Sequence, residues 1–203
     1  MQTNPKPNRL HVLPAFPSFP LAAARPVSAA LRLCSVATFA EAVDFVAALP
    51  YGRNPDKEDP LAVLSDACGT CSTKHALLKR LADENQQPGW QLCLGIFRMH
   101  AGNTPPAAPV LACHGLAYLP EAHCYLRHRG AILDTTTPAA RPARFAAELL
   151  AETELTPAEI GAEKIRQHQA YLAAWLPQQP QLRLTLPELW AVREACIAAL
   201  AGR

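Results

Sequence analysis

The chain has 203 residues with a formal net charge of +2; half are hydrophobic, 20 are proline and 7 are cysteine. That hydrophobic share excludes disorder throughout and favours one core-bearing domain with extensions over two full domains. The near-neutral balance excludes the strong field by which basic proteins hold nucleic acid or acidic membranes, and no apolar run of spanning length is free of proline and charge.

Residues 1–33 read as a proline-rich arm, with Pro5, Pro7, Pro14, Pro17, Pro20 and Pro26 and no helical or strand period, ahead of a single domain over 34–203. Lys6 and Arg9 followed by Leu10 to Ala24 imitate a secretory signal, but three prolines break the helix such a segment needs. An odd number of scattered cysteines fits free thiols in a reducing, cytoplasmic setting.

Within the domain, Thr38 with Glu41 forms a capping-box pattern that starts a helix running to Ala48, burying Phe39, Val43 and Val46, and Pro50 stops it. Residues 72–84 place Leu77, Leu78 and Leu81 on one helical face. Trp90, Leu92, Leu94 and Ile96 then alternate with Gln91, Cys93 and Gly95, the period of a half-buried strand. A proline-rich loop over 103–109 precedes three strand-like runs, 110–118, 122–127 and 131–135, the last two joined by the hairpin signal Arg129-Gly130. Thr156 with Glu159 and Thr185 with Glu188, each with a nearby proline, start two helices in a helical part spanning 145–203, whose Trp175 and Trp190 read as core packing. The order predicts an α+β fold: a cysteine-bearing helix on an antiparallel sheet, with further C-terminal helices.

The sharpest local feature is Gly69-Thr70-Cys71-Ser72-Thr73-Lys74-His75 opening a helix. A thiol there faces unsatisfied backbone N–H groups and the positive end of the helix dipole, which favour the thiolate. Acyl transfer also needs a proton carrier and a group that orients it. His123 on one predicted strand and Asp134 on the next supply both. With a two-residue loop at 129–130, His128 pairs with Ala131 and His123 with Thr136, and parity puts Asp134 on the face of His123, one diagonal step away. Cys124 then points to the opposite side.

Gly-Thr-Cys71-Ser-x-Lys-His at a helix start, followed by His123 and then Leu-Asp134-x-Thr on successive strands, resembles the transglutaminase-like thiol superfamily, which shares its Cys, His, Asp order with papain-like folds. The similarity covers roughly residues 60–138. It implies that Cys71 is the nucleophile, His123 the general base and acid, and Asp134 the residue orienting the imidazole, acting on a peptide or other amide with no cofactor. One oxyanion donor is the Cys71 N–H by position; a second is sought around Ser65 and Asp66 or elsewhere. Where the family often has His-Ala-Trp, this chain has His123-Cys124-Tyr125, and it has no acidic cluster of the kind that binds calcium, so no metal is expected.

Two other readings stand beside this one. Cys68-Gly69-Thr70-Cys71 is also a C-x-x-C, the pattern of a dithiol oxidoreductase, with Leu61 to Leu64 as the preceding strand. A non-catalytic peptide-binding domain of the same fold is the other. Zinc binding by Cys68, Cys71, Cys113, His114, His123 or Cys124 is disfavoured, because neighbouring strand residues project to opposite faces. His75 reads as a packed or solvated histidine, His114 and His128 as ordinary strand or turn residues, and Cys34, Cys93, Cys113 and Cys196 as small buried hydrophobes.

Overall fold

The computed structural model describes residues 16–200. The first fifteen residues of the predicted arm lie outside the described residues. The fold is α+β: eight α-helices and one four-stranded antiparallel sheet are seen among the described residues.

The rest of the arm is not separate from the domain. Residues Pro26–Leu33 form helix α1, with Pro26 in its first turn, where a missing N–H costs nothing. Phe19, Leu21, Val27 and Leu31 are all buried in the core. The Glu84 carboxylate accepts the N–H groups of Val27 and Ser28 at 3.1 and 2.5 Å, so a charge from a later helix caps the start of α1. Prolines therefore set where this segment turns, and its apolar residues pack with everything that follows.

Helix α2, Phe39–Ala48, begins at the expected box: Thr38 accepts the Glu41 N–H, and Glu41 accepts the Thr38 N–H at 3.0 Å. A one-turn helix, α3 (Ala62–Ser65), occupies the segment that the oxidoreductase reading needs as a strand. The central helix, α4, runs Cys71–Glu84, and every residue from Cys71 to Leu78 is buried. It is enclosed on all sides through its first two turns, beyond the single leucine face seen in the sequence.

Strand β1 (Trp90–Met99) pairs with β2 (Leu119–His128), and β2 pairs with β3 (Ala131–Leu133). The hairpin has the expected register, His128 opposite Ala131, with φ of 49° at Arg129 and 84° at Gly130; positive φ at both loop residues matches the strand twist. β3 ends at Leu133, so Asp134 lies just past the strand and the expected His123–Thr136 pairing is not made.

Residues 110–118 are not a strand. Pro105–Ala107 make a 3-10 turn, Ala108–Cys113 form helix α5, and a turn follows. Pro109 sits in the first turn of α5, where proline promotes a helix and the single β-branched residue after it, Val110, does not prevent one. The sheet instead gains an unexpected strand, β4 (Leu149–Leu155), after the one-turn helix α6 (Ala143–Ala146), giving the order β3-β2-β1-β4.

β1 is thereby central, and it is buried on both faces rather than one. On one side Leu92, Leu94 and Ile96 pack with Leu77, Leu78 and Leu81 of α4. On the other, Cys93, Phe97 and Met99 meet Leu172, Trp175, Leu189 and Val192 from the C-terminal helices α7 (Ala162–Trp175) and α8 (Leu186–Leu200). Gly95 belongs to this second side. A Cβ there would lie 2.7 Å from the Leu149 Cδ2 and 2.8 Å from the Tyr125 ring, so glycine is what lets both neighbouring strands close over it.

α8 starts at its expected box, Thr185 with Glu188. α7 does not. Glu159 accepts the Thr156 N–H at 2.6 Å as a box would, but residues 157–161 make a turn and the helix begins at Ala162. Its inward stripe is Lys164, His168, Leu172 and Trp175, and Ile165 faces outward. Cys34 and Cys113, expected inside, are exposed, each beside a helix end. No described helix is long and apolar enough to cross a membrane.

Candidate functional site

Cys71 is the first residue of α4, and its position is over-determined by hydrogen bonds. Thr70 caps the helix: its side chain accepts the Thr73 N–H, and the Thr73 hydroxyl accepts the Thr70 N–H at 3.0 Å. Thr73 in turn donates to Asn54 Oδ1 at 2.7 Å, and Asn54 donates to the Cys68 carbonyl at 3.1 Å. The buried Lys74 ammonium donates to the carbonyls of Leu49 and Thr136 at 2.6 and 2.9 Å, and burial holds its pKa down to about 8.

His75 completes this anchoring. It bonds the Cys71 carbonyl through Nδ1 at 2.6 Å and accepts the Thr135 N–H through Nε2 at 2.8 Å. A carbonyl only accepts and an amide N–H only donates, so His75 is the neutral Nδ1–H tautomer. Burial agrees, holding its pKa down to about 4. His75 thus ties the start of α4 to the loop after β3 as a packed histidine.

That loop carries Asp134. Its Oδ1 accepts the N–H and hydroxyl of Thr136 at 2.9 and 2.6 Å, while its Oδ2 meets His123 Nε2 at 3.0 Å. Parity and the hairpin register together put the pair in contact, although Asp134 has left the strand. Cys124 lies in the core on the α4 side of the sheet, and the His123 ring packs edge-on to Phe145 with centroids 4.9 Å apart.

The three residues form one electrostatic unit. Burial pushes the Cys71 thiol up, but the Lys164 ammonium, the His123 charge and ring hydrogen bond, and the Cys124 N–H outweigh it and bring the pKa to about 5. Burial likewise opposes charge on His123, yet Asp134 and Cys71 hold it well above its ordinary value. The Asp134 carboxyl is held far below the carboxylate range, against its burial, chiefly by His123. The resting pair is therefore thiolate and imidazolium.

Lys164 was not legible as a site residue. It projects from α7, is 8% exposed, and donates to Ser72 Oγ at 2.7 Å and to Cys71 Sγ at 3.8 Å. Its signal was the spacing 164, 168, 172, 175, a helical stripe with a lysine and a histidine at its first positions. Below it lies a buried polar layer: Arg193 forks onto Glu121 at 2.6 and 2.9 Å, and His168 bonds the Pro120 carbonyl at 2.8 Å. Trp190 packs against the core from its edge; it is half-buried, with Arg193 stacked 5.2 Å from its ring.

These groups line one cleft of about 650 Å³ that contains Cys71, His123 and Asp134, together with Tyr51, Lys164 and Trp190. Neither Ser65 nor Asp66 reaches it. Ser65 donates to the Ala62 carbonyl and Asp66 accepts from Asn54, so the second oxyanion donor is not there. Cys68 does not line the cleft either; its sulfur packs over Gly52. All seven cysteines are free, and no group of three or more metal-ligating side chains is gathered among the described residues. In comparisons with known proteins, no family model matched the chain, and neither the curated proteins nor the solved structures gave a match.

Proposed function

We propose that the chain is a thiol-dependent acyl-transfer enzyme of the transglutaminase-like type, an amide hydrolase or transferase working through Cys71, His123 and Asp134. The observation that carries this reading is the thiol at a helix start with its pKa lowered beside a histidine that is itself bonded to a buried carboxylate at 3.0 Å. Seven free cysteines suit the reducing, cytoplasmic setting in which such a thiol survives.

In this mechanism the Cys71 thiolate attacks the carbonyl carbon of an amide, and the carbonyl electron pair moves onto oxygen. The oxyanion is met by the Cys71 N–H, which has no partner among the described residues at the first helical position, and by the Lys164 N–H that lay on the sulfur and is released as the sulfur bonds carbon. His123 gives its proton to the departing amine and the C–N bond breaks, leaving a thioester. Water or a second amine then attacks the thioester, His123 takes its proton, and the thiolate departs. Asp134 holds the imidazole in orientation throughout and stays charged.

Activity should rise as Cys71 ionises near pH 5 and fall where His123 loses its proton, above the ordinary histidine range. The test uses p-nitrophenyl acetate. Wild-type protein releases a burst of p-nitrophenolate equal to the protein present, and an acetyl group is recovered on the Cys71 peptide. Cys71→Ser shows neither. A burst that persists in Cys71→Ser, or that Cys68→Ser abolishes equally, overturns the reading, and binding without any acylation points to a peptide-binding domain.

A further inference from the structure

The charge around the sulfur bears on which acyl groups the cleft takes, an inference that rests on Cys71 being the nucleophile. The cleft around Cys71 is lined by Arg53, Lys57, Arg141, Arg144, Lys164 and Arg193, faced by Glu121 and Glu194. Both carboxylates are already engaged: Arg193 forks onto Glu121 and reaches Glu194 at 2.7 Å, and Arg53 holds the other Glu194 oxygen at 2.5 Å. Lys164 is more than nine-tenths buried and uses one N–H on Ser72 and one on the sulfur. An ammonium has three, so one N–H of a buried lysine in the cleft wall is left without a partner among the described residues.

Lys57 is half-buried and has no carboxylate within 4.0 Å among the described residues. Its chain neighbours do not neutralise it. Asp56 accepts the N–H groups of Glu58 and Asp59 at 2.8 and 3.2 Å, and Asp59 accepts that of Leu61 at 2.8 Å. Burial, and then repulsion from Lys164, Arg53 and Arg193, disfavours its charge. With Cys71 as thiolate, six cations face three anions, while His123 and Asp134 cancel each other. Positive charge is in excess by three in a partly dry cleft, a costly arrangement that an incoming anion relieves.

We propose that the acyl group accepted by Cys71 carries a carboxylate, seated between Lys57 and the spare N–H of Lys164. A neutral side chain leaves Lys57 unpaired, whereas a carboxylate offers one oxygen to Lys57 and one to the Lys164 N–H.

Iodoacetate and iodoacetamide test this, because they differ in charge and hardly in size. Each reacts with a thiolate by forming an S–C bond as the C–I bond breaks and iodide departs with its electron pair. The measured quantity is the ratio of the two alkylation rates at Cys71, read by peptide mass spectrometry against the exposed Cys34 of the same molecules. The ratio at Cys71 should exceed that at Cys34 by roughly fivefold or more at low salt. Lys57→Gln should bring it down towards the Cys34 value, and Lys57→Arg should restore it. Equal ratios at the two cysteines, with iodoacetamide still labelling Cys71 rapidly at pH 6, overturn the carboxylate seat and leave the nucleophile standing. A high ratio that survives in folded Lys57→Gln also overturns it. If Cys71 outruns Cys34 with neither reagent, the nucleophile reading falls and the carboxylate seat falls with it.

Discussion

Cys71 stands between two walls built in different ways. On the sheet side, His123 and Asp134 are 11 residues apart and meet because a two-residue hairpin fixes their register. On the helical side, Lys164 reaches Ser72 across 92 residues and Arg193 reaches Glu121 across 72. The first wall is short-range geometry and needs little of the rest of the chain. The second exists only once β2, α7 and α8 have packed together. The sheet side carries the groups that move protons, and the helical side supplies fixed charge.

Substitutions on each wall should separate these roles. The largest effect belongs to the sheet side: His123→Ala should slow the p-nitrophenolate burst by about a thousandfold, since a general acid–base residue contributes roughly 10² to 10⁴. A protein that keeps its burst rate would show that His123 moves no proton. Next comes Glu121→Ala on the helical side. It leaves the Arg193 guanidinium, 12% exposed, with Glu194 as its one remaining carboxylate among the described residues, and should cost about 3 kcal/mol in denaturant unfolding, while the His123–Asp134 pair stays intact.

Lys164→Met tests whether fixed charge sets the thiolate. Lys164 is the largest favourable influence on a pKa of about 5, so its loss should move the pH midpoint of Cys71 alkylation upward. Alkylation at pH 6 should slow roughly tenfold. An unmoved midpoint would assign the thiolate to His123 and the helix start alone. The smallest effect is Thr70→Ala, which removes the cap of α4 and should lower stability by about 1 kcal/mol in the same denaturant titration.

The legibility of the molecule follows the same division. Helix α2, the start of α8 and the 128–131 hairpin were readable because caps and tight turns act within about four residues. Residues 110–118 were misread because Val110 and Leu111 suit a strand or a helix equally, and Pro109 in a first turn decided for helix. β4 was missed because Leu149–Leu155 is a half-exposed edge strand with a weak pattern, held by its pairing to β1. α1 was hidden by its prolines, and its place depends on a carboxylate from the far end of α4.

For the site, the sequence alone determined that a thiol opens a helix and that a histidine and an aspartate lie on one face of a hairpin. Those are consequences of local periodicity, and the contact survives even though β3 stops one residue before Asp134. Tertiary structure alone decided that Lys164 would be buried against the sulfur, that Glu121 and Arg193 would pair beneath it, and that Lys57 would keep an unbalanced charge in the cleft. The physical reason is the cost of burying charge. A lysine or glutamate on a helix or strand belongs in water unless partners are waiting, and here those partners come from distant segments that meet only in the folded chain.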